Sequence, residues 1–487
     1  MPTEAPPEPV APATVPEPRS TRFPNLTRGS VVGALVALLG TAIGTEALSD
    51  NSFLTHLTTG RLILAGHFPH SDPYSFTAPG RHWVVQSWLA SLLYAVADRL
   101  AGGVGIRLLV AVTTVALALC LWRLTRGART IMGRLLTVSV PLVIGSIAWG
   151  SRPLLFGLLF LALLVLIMEE HRDPRWLVPL MWLWVNTHGS FPLGFVYLVL
   201  LAIGGRIDGQ DVHAEIRAIK WAALGILLGG ISPVGPQLLL FPLDLLAKRK
   251  VLVLLAEWQA PQFTAIWQQM FLLFIVAMVV LLPRIPTERR YRSTILVAVF
   301  TAAALLGSRN VVVASVVLIP VLAMELKGLG SLPSSTRKPV YGVAVAVIAA
   351  ASVGLLVLGL AGPSYDLTSY PVSSITWLQD RGLLASPHRV AALDITGNYL
   401  EYRYRDKVKV FVDDRLDMFP PDVVKGERTL MNGGPDWEKV LDRYKIDTVV
   451  WDDNLPLSSL LRLSPHWKLV HRDKTWNVFQ RVGAVPS

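Results

Sequence analysis

The residues with the most chemistry to offer share one stretch, SDNSFLTHLTTGRLILAGHFPHSDPYSFTAPGRHWVVQSWL, at 49–89. Asp50 stands where a long apolar run ends, and His56 follows on a segment that reads as helix. A carboxylate at the edge of an apolar medium is desolvated on one side. It can accept a proton that a solvated aspartate takes less readily. The plainer role for Asp50 is a polar stop to the preceding helix. His67, His70 and Asp72 come next, the last in the turn-forming pair Asp72-Pro73. His56, His67, His70 and Asp72 raise the question of zinc, but this spacing, with no cysteine nearby, matches no strong zinc pattern. Asp50 and Asp72 could share a divalent cation, yet they supply too few oxygens to define a site. Metal ligands are therefore left unassigned.

Four further residues stand at the ends of apolar runs: Arg152, His188, Glu257 and Arg309. An arginine at mid-membrane costs about 2.5–3.5 kcal/mol on insertion scales. It persists where an anion meets it, and a guanidinium can grip a phosphate with two parallel hydrogen bonds. The competing account is snorkelling to lipid headgroups. His188 reads equally well as a helix-end hydrogen-bonder. Toward the C-terminus, Asp413-Asp414-Arg415 and Asp452-Asp453 each follow a predicted strand. Such carboxylates can bind a metal-nucleotide, but more often they cap a turn or pair with a nearby arginine, and that is the expectation here. No glycine-rich phosphate loop, Walker pattern or GxSxG elbow occurs, which removes support for ATPase and serine-hydrolase chemistry.

The elements that must position these residues are mostly apolar. Of 487 residues 52% are hydrophobic and only 16% charged, against about 25% charged in soluble domains. Apolar runs recur at 30–48 and at approximately 105–122, 135–149, 154–168, 174–187, 191–205, 219–231, 267–283, 293–306, 309–325 and 339–361. A transmembrane helix needs roughly 20 such residues, so the chain is expected to be a polytopic α-helical membrane protein with about eleven spans. The stretch 83–100 carries Gln86, Asp98 and Arg99 and reads as an interfacial helix.

Charge sets the orientation. With the N-terminus in the cytoplasm, the basic loops around Arg123–Arg134, Arg284–Arg292 and Lys327–Lys338 fall inside, as the positive-inside rule requires. Lys248-Arg249-Lys250 is the exception. The net charge of +11 is thus accounted for by loops, and no nucleic-acid partner is expected. Cys120 is the single cysteine, so no disulfide within the chain is possible.

Three parts follow: a disordered cytoplasmic tail (1–28) rich in Pro, Ala and Glu, a membrane domain (29–362) whose first extracytoplasmic loop is 50–104, and a soluble α/β domain (363–487) placed outside. In the last, RVAALD, KVKVFVDD, DTVVWDD and HWKLVHRD read as strands, and WEKVLDRY and PLSSLLRL as helices.

The pattern D-x5-H-x3-G-R-x-I, then P-H-S-D-P-Y-S-F-T, then G-x2-W-x4-W-L resembles a bacterial branch of the GT-C superfamily of membrane glycosyltransferases, related to dolichyl-phosphate-mannose mannosyltransferases. Ser151-Arg152-Pro153, the Trp184–Gly189 segment WVNTHG, Glu257-Trp258, Ser308-Arg309-Asn310 and the GNYL…VFVDDR stretch extend the likeness over most of 30–487. The resemblance implies a polyprenyl-phosphate sugar donor, a cell-envelope glycan, lipid or protein acceptor, and attack from the extracytoplasmic side. Asp50 would be the base, with Asp72 and His56 assisting. Arg152, His188 and Arg309 would hold the donor phosphate, with Glu257 a further candidate. The family pattern has a second acid where this chain has Asn51, and an acidic motif where it has Gln86-Ser87-Trp88-Leu89. Those substitutions keep open a non-catalytic scaffold for envelope assembly. A transporter would show two similar halves, and no repeat is seen.

Overall fold

A computed structural model describes residues 26–145, 148–249 and 256–483. Most of the expected N-terminal tail and Lys250 lie outside that range.

The membrane part is built of helices: α1 (Arg28–Gly44), α2 (Asn51–Leu64), α3 (Trp88–Leu124), α4 (Ile131–Gly145), α5 (Leu154–Glu169), α6 (Leu177–Thr187), α7 (Phe191–Ile207), α8 (His213–Gly229), α9 (Gln237–Ala247), α10 (Ile266–Leu281), α11 (Arg290–Leu306), α12 (Arg309–Val317), α13 (Ile319–Glu325) and α14 (Pro339–Ala361). Among the described residues three stretches are long and apolar enough to cross a membrane: Trp88–Ala128, Ile266–Arg284 and Pro339–Ala361. Five more apolar helices run 10–17 residues. α14 is the least buried of the three long stretches. Its 23 residues would reach about 35 Å, yet only Gly342 is buried, so its apolar sides face outward.

The runs read from sequence do not map one to one onto these helices. α3 is two helices meeting at Ala101 and Gly102, where the backbone leaves the helical region and Gly102 takes φ 59°. Only glycine adopts that conformation readily. The break falls where the interfacial stretch was expected to end. The run 309–325 is divided at Leu318, just ahead of Pro320, into α12 and α13, both buried along most of their length. α9, QLLLFPLDLLA, was not among the expected runs. Its Pro242 and Asp244 interrupt the apolar signal.

The C-terminal domain contains α15 (Val372–Asp380), β1 (Val390–Ala392), α16 (Asp394–Tyr404), α17 (Pro421–Asn432), α18 (Trp437–Arg443), β2 (Thr448–Asp452), α19 (Pro456–Leu463), β3 (Trp467–Asp473) and β4 (Trp476–Arg481). The sheet order is β1-β2-β4-β3. β1 and β2 are parallel, with Val390 opposite Thr448, so the chain between them must cross over, here through helices. β2 pairs antiparallel with β4, and β4 with β3. β2 is buried from Thr448 to Trp451, as expected of a strand covered on both faces.

One expected strand is absent from this sheet. KVKVFVDD runs instead against the first loop, where Val410 bridges Ser75 in parallel. The Val410 amide donates to the Tyr74 carbonyl, and the Phe76 amide to the Val410 carbonyl. Its β character is used to fasten the two domains together. The fourth strand, β4, was missed because Trp476–Arg481 follows β3 after a tight turn and reads as its continuation.

Two glycines allow close approaches that seat the site. A Cβ at Gly60 of α2 would collide with the Ser91 carbonyl of α3, and one at Gly397 of α16 with the Val412 carbonyl. α16 then lies on α2. The Thr55 hydroxyl sits 2.9 Å from both Asn398 Oδ1 and Glu401 Oε2. Asn51 Nδ2 donates to Asp394 Oδ2, and Asn398 Nδ2 to Asn51 Oδ1. Burial, followed by the neighbouring Asp413, pushes the Glu401 carboxyl well above the carboxylate range, against the pull of Arg415.

Candidate functional site

The N-terminus of α2 organises the helical side of the site. Asp50 is its N-cap: Oδ1 accepts from the Ser52 amide at 3.0 Å and from the Ser52 hydroxyl at 3.2 Å. Such caps satisfy amides that have no partner within the helix. Oδ2 accepts from Arg152 Nε at 2.5 Å. Arg152 Nη1 reaches Glu257 Oε2 at 3.2 Å. The arginine therefore bridges two carboxylates, and its side chain is 42% exposed.

Arg309 is held differently. Its guanidinium lies 4.4 Å from the centre of the Trp258 ring, within the reach of a cation–π contact. No ion pair to a carboxylate is formed by Arg309 among the described residues. The Ser308 amide and hydroxyl both donate to the Gln259 carbonyl, which draws the Glu257-Trp258 and Ser308-Arg309 segments together.

Side-chain amides and indoles set the remaining wall. Trp88 Nε1 donates to Asn186 Oδ1 at 2.8 Å, and the Gly189 amide donates to Gln86 Oε1 at 3.1 Å. The Ser190 amide donates to His188 Nδ1; an Nδ1 that accepts leaves the proton of a neutral imidazole on Nε2. His56 Nδ1 lies 3.0 Å from the Ser91 hydroxyl. Burial pushes the His56 imidazole down to about 4, with Asp50 pulling it up and Arg152 pushing it down further. It is neutral at ordinary pH and serves as a hydrogen-bonding group.

A cavity of about 210 Å³ gathers these groups. His56, Arg152, His188, Glu257 and Arg309 all line it, as do Gln86 and Trp258. Five residues singled out from sequence thus meet in one place, although they come from segments more than 250 residues apart. Asp50 is not among the lining residues and touches the cavity through Arg152.

Asp72 is elsewhere. Its side chain is fully buried. It accepts from the Tyr74 and Ser75 amides and the Ser75 hydroxyl, and from Arg415 Nη2 at 2.7 Å. All of its acceptor capacity goes to a turn and an ion pair, and it does not line the cavity. Asp50 and Asp72 therefore form neither a pair of acids nor two ligands of one cation. His67 and His70 are exposed on the loop. Among the described residues no group of three or more His, Cys, Asp or Glu side chains is placed to hold a metal ion.

The C-terminal domain closes the cavity with Asp414, Arg415 and Asp417, a contribution the sequence reading did not assign. The expected turn-and-pair role does describe Asp413, which takes Arg415 Nε at 2.9 Å and Nη2 at 2.6 Å. It also describes Asp453, which pairs with Arg462 and Arg472. It does not describe Asp414, whose Oδ1 is buried without a hydrogen-bond partner. Burial, then the charges of Asp413, Asp394 and Asp50, push the Asp414 carboxyl up to about 8, against Arg152. The signal available in the sequence was the VFVDDR stretch itself, with more charge than a strand end needs.

The arrangement of helices and terminal domain has a solved counterpart. The chain is similar in fold to an archaeal oligosaccharyltransferase. The crystal structure of the Archaeoglobus fulgidus oligosaccharyltransferase, in the apo form, superposes with a TM-score of 0.51 over 87% of this chain and 69% of that one, at 11% identity. No family model and no curated protein matches the sequence. At 11% identity the likeness concerns the fold, and the residues described above are this chain's own.

Proposed function

We propose that this protein is a membrane glycosyltransferase that moves a sugar from a polyprenyl-phosphate donor to a hydroxyl of a cell-envelope acceptor, outside the cytoplasm. The observation that carries the reading is the convergence of Arg152, Arg309 and His188 on one cavity that solvent can reach. Among the described residues Arg309 has an aromatic partner and no carboxylate in an ion pair, so it is the cation with the most capacity left for an anion. His188 Nε2 adds a neutral donor. The fold of an oligosaccharyltransferase and the outward-facing apolar helices support a lipid-linked donor.

Chemically, the acceptor oxygen attacks the anomeric carbon while the bond from that carbon to the phosphate oxygen breaks. Charge builds on the leaving phosphate, and cationic donors aimed there stabilise the transition state more than the ground state. Arg309 and Arg152 are assigned to that phosphate. Asp50 and Glu257 hold Arg152 in place. A scaffold with a relic site would not need an unneutralised arginine in an open cavity.

The test is binding. Purified full-length protein is melted with polyprenyl phosphate and with a panel of polyprenyl-phosphate sugars. A ligand at 100 times its Kd stabilises a protein by about 2.7 kcal/mol. Stabilisation is expected for the wild type, with most of it lost in Arg309→Ala and part retained in Arg309→Lys. If neither the phosphate nor any of the sugars raises the melting temperature, the proposal is wrong.

A further inference from the structure

Glycosyl transfer to a hydroxyl releases a proton, and several carboxylates in or beside the cavity are candidates to take it. Asp50 has one oxygen on the Ser52 amide and the other on Arg152, and it does not line the cavity. Glu257 is tied to Arg152. Asp413 is consumed by Arg415. Asp414 is different: among the described residues its Oδ1 is buried with no hydrogen-bond partner and its carboxylate forms no ion pair, and it lines the same cavity as Arg152 and Arg309. Its position is fixed by the backbone, whose amide donates to Asn398 Oδ1 at 3.1 Å. Asn398 is in turn bound to Asn51 at the start of α2.

We infer that Asp414, on the C-terminal domain, is the catalytic base that takes the acceptor's proton, in place of the aspartate at the end of the first helix. This rests on the glycosyltransferase reading of the same cavity. The acceptor oxygen forms the new bond to the anomeric carbon. The bond from that carbon to the phosphate oxygen breaks, and the polyprenyl phosphate leaves with the electron pair. The hydroxyl proton passes to the Asp414 carboxylate and then to water. No metal, oxidant or second co-reactant is needed for the balance.

The environment suits the task. A base works best when its pKa lies near the working pH, and the crowding of Asp413, Asp394 and Asp50 around Asp414 raises its basicity, with Arg152 opposing. His56, His188, Glu257, Arg309, Arg415 and Asp417 are the other titratable or charged groups on the cavity wall. Only the deprotonated form of Asp414 is active, so the rate should rise with pH through about 8. The terminal domain then becomes an indispensable half of the active site.

The experiment uses full-length protein in lipid nanodiscs with a panel of polyprenyl-phosphate hexoses and pentoses and an alkyl glycoside as hydroxyl acceptor. The readout is release of polyprenyl phosphate, which reports transfer to any hydroxyl, water included. Asp414→Asn should lower release about 100- to 10,000-fold and abolish the rising pH limb. It should keep the thermal stabilisation given by polyprenyl phosphate, because the donor contacts are intact. Asp417→Asn, on the same wall, should lose far less. Retained release within about threefold in Asp414→Asn, or an unchanged pH limb, overturns the assignment and leaves the glycosyltransferase reading standing. A wild type that neither binds nor consumes any donor overturns both.

Discussion

Two arginines that line the cavity each sit between two carboxylates, and they differ in how far they are buried. Arg152 bridges Asp50 and Glu257 with its side chain 42% exposed. Arg415 bridges Asp72 and Asp413 with its side chain 7% exposed and both acids at zero. Arg415 also lies over the Tyr74 and Trp83 rings, at 4.9 and 4.4 Å from their centres. The exposed triad adds little to stability, since solvent-facing pairs contribute about 0–1 kcal/mol, and it is free to rearrange around a ligand. The sealed triad joins the first loop to the terminal domain and cannot be opened cheaply. In the proposed reaction the first cluster would serve the chemistry, while the second fastens the first loop to the terminal domain.

The sharpest way to break this comparison is to remove the sealed arginine. In Arg415→Met the side chain keeps much of its apolar bulk, but Asp72 and Asp413 are left buried without their cation. Breaking such a pair costs about 3–5 kcal/mol. The full-length protein should melt earlier, and protease should cut between the membrane part and the terminal domain. Arg152→Met should leave melting within about 1 kcal/mol of wild type. Equal melting for the two variants would refute the division of labour.

A smaller effect concerns a buried acid in the terminal domain that takes no part in the cavity. Glu427 on α17 is 1% exposed and its Oε2 has no partner. Burial, then Asp394, lifts its carboxyl to about 8, against Arg428. A carboxyl whose folded pKa is raised gives stability that is present at low pH and lost as pH climbs toward the folded value. Stability should therefore fall between about pH 4.5 and pH 8, and Glu427→Gln should remove that fall. At pH 8.5 the variant should gain about 4–5 kcal/mol over wild type, and at pH 4.5 almost nothing. Hydrogen exchange in β2, compared between the two proteins at each pH, measures it. A gain independent of pH would show that the group is not protonated in the folded state.

Much of the cavity's lining was legible because its residues interrupt apolar runs. Arg152, His188, Glu257 and Arg309 each stand where a hydrophobic segment ends, and charge there is conspicuous. The α/β character of the terminal domain was also legible, since β2 and β3 carry strong strand composition. What could not be read was partnership across the chain. Asp72 looks like Asp50 in sequence, and only the fold reveals Arg415 beside one and Arg152 beside the other. The VFVDDR segment has strand composition, but its partner is the first loop rather than the sheet. Pairing at that separation leaves no local periodicity to detect. Helix lengths were misjudged for a related reason. Apolar runs mark what lipid or core will accept, while breaks such as Gly102 and Leu318 follow from backbone geometry.

The finest test of the comparison lies in the exposed triad. Asp50→Asn keeps the helix cap, because asparagine caps about as well as aspartate, and so α2 should be undisturbed. If Asp50 only positions Arg152, the variant should lose about tenfold in rate or less, well short of the loss expected for Asp414→Asn. It should also move the pH profile. Asp50 is one of the charges that raise the Asp414 carboxyl, and Arg152, freed from Asp50, would lower it further. Both changes favour the ionised base, so the rising limb should shift toward acid. A direct proton-accepting role for Asp50 makes the opposite prediction, a collapse of rate at every pH with no displaced limb to measure. Two numbers from one variant, the maximal rate and the midpoint of the limb, therefore separate an aspartate that orients an arginine from one that takes the proton itself.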